Sequence, residues 1–372
     1  MLDLLAADRA LLAKKDAEIQ ELEAQVSALE RSLSLLHAAR RIVQQRLCSY
    51  KYPVLTLPNE IVAEIFLHFL PPYPDVPPPL GALSPIHLTH ICHQWREIAL
   101  KTPGLWRAID LSPRNADRRL LLSLERTISL TGLWLSRSGN CPLSIHMESD
   151  RDPLSILAPL IPHRDRWEHL TLRLETTQAL SSIQGSFPLL KSLDLQFGST
   201  VSDDEVVTLQ DLPLLSTVVL DDFGIPHISL PWSQLTSITL MWIYSEDCMS
   251  ILRQTTHLVR CTLHLWIQHG PENNVVDLVL PHLETLDVEA DDTLHANFFQ
   301  CLVAPALHHL RLPEHLLQPN IIESLNSFIS RSGCHLDELK ITTGSVSRNA
   351  YRNAFPAITD IWVDIDSDSD SN

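Results

Sequence analysis

Three histidines and one cysteine lie close together in residues 87–93, where His87, His90 and His93 are spaced three apart and Cys92 precedes the last of them. Imidazole nitrogens and thiolate sulfurs are the usual ligands of structural zinc, which takes four of them. On one continuous helix, a rotation of roughly 100° per residue leaves His87 and His93 about 120° apart, so the three rings do not converge. No second cluster of matching spacing occurs nearby, and we predict no metal site.

Sequence motifs of known catalytic sites are missing. The chain contains no GxSxG, HExxH or GxxxxGK pattern, and its ten glycines offer few tight loops around a ligand. Cysteine and histidine adjoin at Cys92–His93 and at Cys334–His335. Neighbouring side chains on a helix or strand point apart, which separates a nucleophile from its base. We therefore expect no catalytic residues, no cofactor-binding residues and no enzymatic activity.

The charge of the chain indicates which kinds of partner it can bind, and its cysteine content indicates the redox compartment. The formal net charge is -17; residues 1–199 carry 21 basic and 21 acidic side chains, whereas residues 200–372 carry 7 and 24. A negative field of this kind repels nucleic acid and favours cationic partners. The seven cysteines are odd in number and form no CxxC pair, which is typical of free thiols in a reducing compartment. We expect a cytoplasmic or nuclear protein.

Charged residues interrupt every long apolar run of the sequence. The longest run, "LLLSLERTISLTGLWL", contains Glu125 and Arg126, and a bilayer span needs about 20 apolar residues. The first 20 residues also carry charges every few positions, unlike the apolar core of a signal peptide. We expect neither a membrane anchor nor a cleaved leader.

The N-terminal residues are predicted to form one helix with a coiled-coil seam. Apolar residues recur on two tracks with a spacing of seven: Leu5, Leu12, Ile19, Val26, Leu33 and Leu47 on the first, and Leu22, Leu29, Leu36 and Val43 on the second. Asp8 and Lys15 occupy the second track early on, and Arg40 interrupts the first, so the coiled coil should be short or weak. It would serve self-association or a partner helix. The alternative is an amphipathic helix folded back on the rest of the chain.

Two short helices are predicted next, joined by a proline-rich connection. The first carries an apolar stripe that begins at Ile61, and the second begins at Ser84 and Pro85, a good cap and first helical position, and continues to Ala99. The seven prolines of residues 71–85 prevent a continuous helix and predict an extended connection.

The remainder of the chain is repetitive. A pattern of apolar, two variable, apolar, one variable and apolar residues occurs nine times, from "WEHLTL" at 167–172 to "ITDIWV" at 358–363. Its central positions are 170, 193, 218, 238, 261, 286, 310, 339 and 361. Their separations of 20 to 29 residues fit the period of leucine-rich repeats. Stacked units of strand, turn and helix would pair their strands in parallel along a concave face, with the helices outside, in an α/β solenoid.

These patterns divide the chain into five segments. They are a coiled-coil helix at 1–50, a small all-α module at 54–110, a helix with an imperfect opening repeat at 111–165, leucine-rich repeats at 166–365 and an acidic tail at 366–372. The opening strands are expected at "WRAIDL" and "CPLSIHM". The serine-rich tail has no apolar anchor and should be disordered.

The all-α module resembles an F-box. "LTLPNEIVAEIFLHFL" followed by "LTHICHQWREIALKTPGLWRAI" has that family's pattern of Leu-Pro, an acidic residue with Ile, Ile-Phe, Val-Cys-x-x-Trp-Arg and Leu-Trp. The matching positions are Leu57, Pro58, Glu60, Ile61, Ile65, Phe66, Ile91, Cys92, Trp95, Arg96, Leu105 and Trp106. Ile91 replaces the Val, and the proline-rich connection is longer than in the common form. With its repeats, the chain is similar to F-box proteins with C-terminal leucine-rich repeats, although most copies lack the Asn that usually follows the strand.

The resemblance implies a substrate receptor of an SCF-type (Skp, cullin and F-box) cullin-RING ubiquitin ligase. In that family the F-box docks on a Skp-family adaptor, and through it on a cullin, while the repeats hold the substrate. The docking residues carried over are Leu57, Pro58, Ile61, Ile65, Phe66, Leu88, Ile91, Trp95, Leu105 and Trp106. A two-helix unit has too many such apolar residues to bury alone, which favours a partner. The alternative is a scaffold that joins two partners without ubiquitin transfer.

Substrate selection would fall to the variable strand positions that face the concave surface, and these are mostly acidic. The expected residues are Asp194, Asp221, Asp222, Glu284, Asp287, Glu289, Asp337 and Glu338. Their charge favours a basic segment of an unknown protein substrate. A solvated acidic surface without such a role is the alternative.

Overall fold

The computed structural model of the chain describes residues 2–49, 56–112, 124–149, 152–175, 182–198, 207–221, 228–266, 277–290 and 297–365. These residues form a mixed α/β protein with a long N-terminal helix and a large parallel sheet. The chain divides into two compact units, Met1–Val62 and Ala63–Asn372. The predicted tail at 366–372 lies outside the described residues.

Helix α1 comprises Leu2–Ser49, as the sequence predicts. It is rich in Ala, Leu, Glu and Arg, which are strong helix formers, and it contains no Gly or Pro. Every side chain from residue 8 to residue 47 is exposed. The apolar seam of α1 is therefore uncovered between residues 8 and 47.

Helix α2 comprises Asn59–Phe69 and ends before the proline-rich segment. The second predicted helix, from Pro85 to Ala99, is instead two helices, α3 (Pro85–Leu88) and α4 (His93–Leu100). The prediction of one continuous helix was wrong, and the reason is local to the four residues between α3 and α4.

The break is stabilised by two polar contacts. Cys92 is extended, with φ −156° and ψ 170°, and its Sγ accepts a hydrogen bond from the backbone N of Trp95 at 3.5 Å, which caps α4. The carbonyl of Thr89 accepts a hydrogen bond from Arg96 Nε at 2.8 Å. Backbone groups that a continuous helix would pair internally thus find partners at a turn.

The other helices are short. They are α5 (Leu124–Arg137), α6 (Pro153–Leu157), α7 (Ser245–Leu252), α8 (Asn297–Cys301), α9 (Ile321–Ser332) and α10 (Arg348–Ala354), with 3-10 helices at Pro103–Trp106, Ile161–Arg166, Trp232–Gln234 and Glu314–Leu317.

Eleven parallel strands form the main sheet and neighbour one another in chain order. They are β1 (Ala108–Asp110), β2 (Leu143–Ser149), β3 (Trp167–Leu174), β4 (Ser192–Phe197), β5 (Thr217–Asp221), β6 (Ser237–Tyr244), β7 (Arg260–Trp266), β8 (Thr285–Ala290), β9 (His309–Pro313), β10 (Glu338–Gly344) and β11 (Asp360–Ile365). The nine copies of the sequence pattern supply β3 to β11. The two opening strands predicted from the sequence are β1 and β2.

The central positions of the nine copies form one row across the sheet. Leu170 pairs with Leu193, Leu193 with Val218, and the pairing continues without a gap to Leu339 and Ile361. All nine of these side chains are buried. A slip of one residue in any pair would turn an apolar row outward, so burial fixes the register.

The connections between strands are less uniform than predicted. Helices α7 to α10 follow β6, β8, β9 and β10, respectively, whereas the described parts of the other connections after β3 hold 3-10 turns or short strands. These short strands form two small parallel sheets. One comprises Gly185–Ser186, Val207–Gln210 and Ile228–Ser229, and the other Leu278–Val279 and Leu302–Val303.

A recurring Pro turn precedes five of the strands. In the segments FPLL, LPLL, LPHL, APAL and FPAI, the backbone N of the last residue donates to the carbonyl of the first, as in Leu190 to Phe187 at 3.2 Å and Leu215 to Leu212 at 3.3 Å. Proline at the second position presets the backbone for such a turn. This turn is a regular feature of units that lack the Asn usual in leucine-rich repeats.

Candidate docking module and open face of the sheet

The predicted docking residues divide into an exposed set and a buried set. Ile61 and Ile65 lie one turn apart on α2 and are 50% and 48% exposed. Three further docking residues are also exposed: Leu57, Pro58 and Ile91. Four others are buried: Phe66, Leu88, Leu105 and Trp106. Half of the predicted set is therefore accessible to a partner, and four members serve the core.

Aromatic contacts hold the buried set in place. The Phe66 ring meets Trp95 edge-on at 4.9 Å, which leaves Trp95 half-buried. Trp106 is fully buried; its Nε1 donates to the carbonyl of Ala99 at 2.9 Å, and its ring meets Trp134 edge-on at 5.1 Å. Trp106 thereby joins the turn after α4 to helix α5.

The three histidines occupy three different local structures. His87 lies on α3, His90 in the turn after it and His93 at the start of α4, and all three are exposed. The continuous helix on which their angles were predicted does not exist. In the part of the chain that the structure describes, no three His, Cys, Asp or Glu residues are grouped so that they could hold a metal ion.

The proline-rich segment is anchored to the first strands of the sheet through Tyr73. Its hydroxyl donates to Glu168 Oε2 at 2.7 Å, and its ring lies 3.7 Å from the guanidinium carbon of Arg107. Lys191 Nζ donates to the other oxygen of Glu168 at 2.6 Å. Ser144 Oγ adds a hydrogen bond to the carbonyl of Pro74 at 2.6 Å. The segment predicted as an extended connection is thus held against β2, β3 and the start of β4.

Burial and the Glu168 carboxylate both raise the pKa of Tyr73, so its hydroxyl remains a donor at neutral pH. Burial opposes the charge on Glu168, but hydrogen bonds from Lys191 and Tyr73 outweigh it and lower the pKa of that carboxyl. Both shifts favour the observed hydrogen bond.

The face of the main sheet opposite the buried apolar rows is called here the open face. On each strand, the residue that follows the buried central residue points to this face. These residues pair from strand to strand and form one row from β1 to β11. The row contains Asp110, His146, Thr171, Asp194, Val219, Thr239, Thr262, Asp287, Arg311, Lys340 and Trp362. Side chains from eleven consecutive strands thus line one surface.

Two of the predicted acidic residues share one arginine on the open face. Arg311 Nη1 lies 3.0 Å from Asp287 Oδ1 and 2.8 Å from Glu289 Oε1, and Glu289 Oε2 lies 3.1 Å from His264 Nδ1. Burial opposes the charge of Arg311, but the two carboxylates raise its pKa above the ordinary value. These carboxylates are therefore already partly neutralised within the chain.

The other predicted acidic residues have different surroundings. Asp194 is half-buried on the open face, where burial raises its pKa and Gln196 Nε2 donates to it at 3.1 Å. Asp221 is buried and accepts a hydrogen bond from the backbone N of Phe197, which is a structural contact. Its expected place on an accessible surface was wrong, because its carboxylate is turned to the backbone at the end of the neighbouring strand β4 and is buried there.

The remaining members of that set lie near the beginnings of strands. Glu284 and Asp337 precede β8 and β10 and are exposed, and Asp337 lies 3.1 Å from His308 Nδ1. Glu338 is the first residue of β10 and is half-buried. Asp222 lies outside the described residues. The predicted acidic surface is therefore dispersed over an edge, a core position and part of the open face.

Exposed tryptophans are the feature of the open face that sequence reasoning missed. Trp242 and Trp266 are 55% and 50% exposed and meet edge-on at 5.7 Å, and Trp242 also lies 6.0 Å from the His264 ring. A third, Trp362, is 53% exposed on β11. Counting outward from the central position of each copy would have predicted that Trp266 and Trp362 point outward.

Trp242 escapes that counting rule because β6 contains a bulge. His264 pairs with Met241 and Leu265 with Ile243, so Trp242 is the extra residue, and its φ of 60° is unusual for a bulky side chain. Strict alternation from Ile238 and Leu240 would bury Trp242. The bulge turns it outward against Trp266.

Comparison with protein-family models found no match, and comparison with curated proteins found no matching relative. Within the described residues, no helix is both long and apolar enough to cross a membrane. Six cysteines are free thiols: Cys92, Cys141, Cys248, Cys261, Cys301 and Cys334.

Proposed function

We propose that the chain is the substrate receptor of an SCF-type ubiquitin ligase, with α2 to α4 docking on a Skp-family adaptor and the open face of the sheet holding a protein substrate. The observation that carries the proposal is the division of the F-box motif residues. Phe66, Leu105 and Trp106 form a core, whereas Ile61 and Ile65 are left exposed on α2. Exposed aliphatic residues beside a formed core favour a protein partner.

Such a receptor performs no bond chemistry of its own. It raises the effective concentration of a substrate lysine near a charged conjugating enzyme, and its contribution is geometric. The anchoring of Tyr73 to Glu168 supports this role, because it limits movement between the proline-rich segment and β3. The expected compartment is the cytoplasm or the nucleus.

The open face supports a substrate segment that carries Lys or Arg. Trp242 and Trp266 present aromatic faces to a cation, and the C-terminal half of the chain has 24 acidic residues against 7 basic ones. Because Asp287 and Glu289 are partly neutralised by Arg311, the tryptophan pair is the stronger local anchor. The acidic field would then steer the encounter.

The adaptor test uses the full-length chain and purified Skp adaptor in titration calorimetry. Ile61→Gln with Ile65→Gln should weaken binding by about 30-fold or more, the loss of about 2 kcal/mol expected for interface hot spots. Leu214→Gln, at an exposed aliphatic residue between β4 and β5, is the matched control and should bind normally. Trp95 is left unchanged in this test because its ring also contacts Phe66, a residue of the core.

Two further outcomes separate the candidate functions. No binding of the adaptor by the unaltered chain would overturn the proposal. Recovery of adaptor without cullin from cells would favour the alternative, a scaffold without ubiquitin transfer. In the same cells, Trp242→Ala with Trp266→Ala should lose captured substrate while keeping the adaptor, and Leu133→Ala, at an exposed residue of α5, serves as the control.

A further inference from the structure

Between residues 16 and 47, helix α1 carries its charges in two blocks of opposite sign. Residues 16–30 hold five acidic side chains and no Lys or Arg, and residues 31–47 hold four arginines and no Asp or Glu. A second helix that lies beside this part of α1 therefore meets negative charge along residues 16–30 and positive charge along residues 31–47. This gives any pairing of α1 a preferred direction.

The apolar seam crosses both blocks. From Ile19 onward its residues are between 51% and 70% exposed: Ile19, Leu22, Val26, Leu29, Leu33, Leu36, Val43 and Leu47. Most of the stability of a helix comes from burial of its apolar face. A seam of this length requires a covering surface, and its heptad spacing fits another helix.

Parallel pairing with a second copy would bring like charges together. In a parallel pair each seam position faces the same position of its partner, so Arg40 would meet Arg40 and Lys15 would meet Lys15. Glu18 would also lie beside Glu23, and the acidic blocks would run side by side. Each of these contacts is repulsive.

We propose that α1 pairs with α1 of a second copy of the chain in antiparallel orientation. In that arrangement the first track of one helix faces the second track of the other. When Ile19 faces Val43 of the partner subunit, Val26 faces the partner's Leu36 and Leu29 faces the partner's Leu33. The apolar residues of the seam then cover one another.

The same register also gives a favourable partner to Arg40, which interrupts the first apolar track. Arg40 faces Leu22 of the partner subunit, which stands between the partner's Glu21 and the partner's Glu23. The acidic block of each helix lies along the arginine block of the other. The pair is symmetric about residue 31. Arg31 itself lies on the side of the helix away from the seam, so the one like-charge contact that remains is between Glu30 and the partner's Glu30, which flank the seam.

This proposal does not depend on the proposed ligase function, since it concerns α1 alone. Antiparallel pairing places the two ends at Ser49 at opposite ends of the paired helices.

Cysteine cross-linking in the full-length chain tests the orientation. With Cys48→Ser in every variant, Ile19→Cys together with Val43→Cys should give a disulfide-linked dimer on oxidation, and neither single variant should. Cross-linking of Ile19→Cys alone would show a parallel pair and overturn the proposal. The Cys48→Ser chain without added cysteine is the background control.

Sedimentation equilibrium measures the association itself. Glu30→Gln should tighten the dimer by roughly twofold, because it removes the like-charge contact at the centre. Glu23→Gln is the matched control and should weaken the dimer, since it removes the same charge beside the partner's Arg40. A chain that stays monomeric at submillimolar concentration overturns the proposal, whatever its binding of the adaptor.

Discussion

The helical module formed by α2 to α4 leaves half of its predicted docking residues exposed, whereas the main sheet buries the central apolar residue of every predicted copy. In the module, residues of one motif are divided between a core and a surface. In the sheet, the core and the open face alternate along each strand. In the module, substitutions at two adjacent helical positions can therefore have different effects, one on folding and the other on binding. In the sheet, folding and binding depend on opposite faces, because successive side chains of a strand point to opposite sides.

The largest expected effect is the loss of the module's core. Trp106→Ala should lower the free energy of unfolding by about 3–5 kcal/mol, because it empties a fully buried site and removes the hydrogen bond to Ala99. Ile65→Ala, at an exposed residue of the same motif, should change it by less than about 1 kcal/mol. Urea unfolding measures both, and equal losses would break the distinction between core and surface.

A buried carboxylate near the end of the sheet is expected to have an intermediate effect. Glu314 accepts hydrogen bonds from the backbone N of Ser345 at 2.7 Å, from Val346 N and from Tyr351 Oη at 2.9 Å. Glu314→Gln should destabilise by about 1–3 kcal/mol at neutral pH, because the amide nitrogen cannot accept these bonds. Trp106→Ala should exceed this effect in the same unfolding experiment.

The contribution of Glu314 should also depend on pH. Burial opposes its ionisation, but the hydrogen bonds from Ser345, Val346 and Tyr351 lower its pKa below the ordinary 4.5. The stabilisation is complete above the pKa of the unfolded chain and is lost as the pH falls through the lower, folded pKa. The difference between the unaltered chain and Glu314→Gln should therefore shrink below about pH 4.5, as unfolding at several pH values would show. A difference independent of pH would contradict this account.

The smallest expected effect on stability is at the link between the proline-rich segment and the sheet. Tyr73→Phe removes the hydrogen bond to Glu168 but keeps the ring against Arg107, and Lys191 still pairs with Glu168. The loss should be about 1 kcal/mol. Hydrogen exchange of residues 71–84 should rise more than that of β3, and unchanged exchange would show that the hydroxyl does not fix the segment.

Regular spacing made most of the sheet predictable. The buried rows follow from apolar residues at fixed positions, and the register of Leu170 with Leu193 repeats to Ile361. The cap at Cys92 and the bulge at Trp242 were not predictable in this way. The first interrupts the helical spacing between α3 and α4, and the second interrupts the alternation of side chains along β6. The pairing of Arg311 with Asp287 joins residues 24 apart in sequence and required the register itself.

The family resemblance identified the predicted docking residues, but it did not indicate which of them would be exposed. The motif treats Ile65 and Phe66 alike, yet α2 exposes the first and buries the second against Trp95. Which side of a helix faces the core depends on what packs beside it, and the sequence pattern of a short helix leaves this open.

Among the described residues, β1 and β11 each have a single neighbour in the main sheet and form its two margins. Unpaired strand margins invite further strands and hence aggregation. The two margins are protected differently: β1 is buried and its Ala108 carbonyl accepts a hydrogen bond from Trp134 Nε1 at 3.2 Å, whereas β11 is six residues long and carries the exposed Asp360 and Asp364. The two aspartates place negative charge along the longer margin, and charge on an edge strand opposes the addition of a further strand.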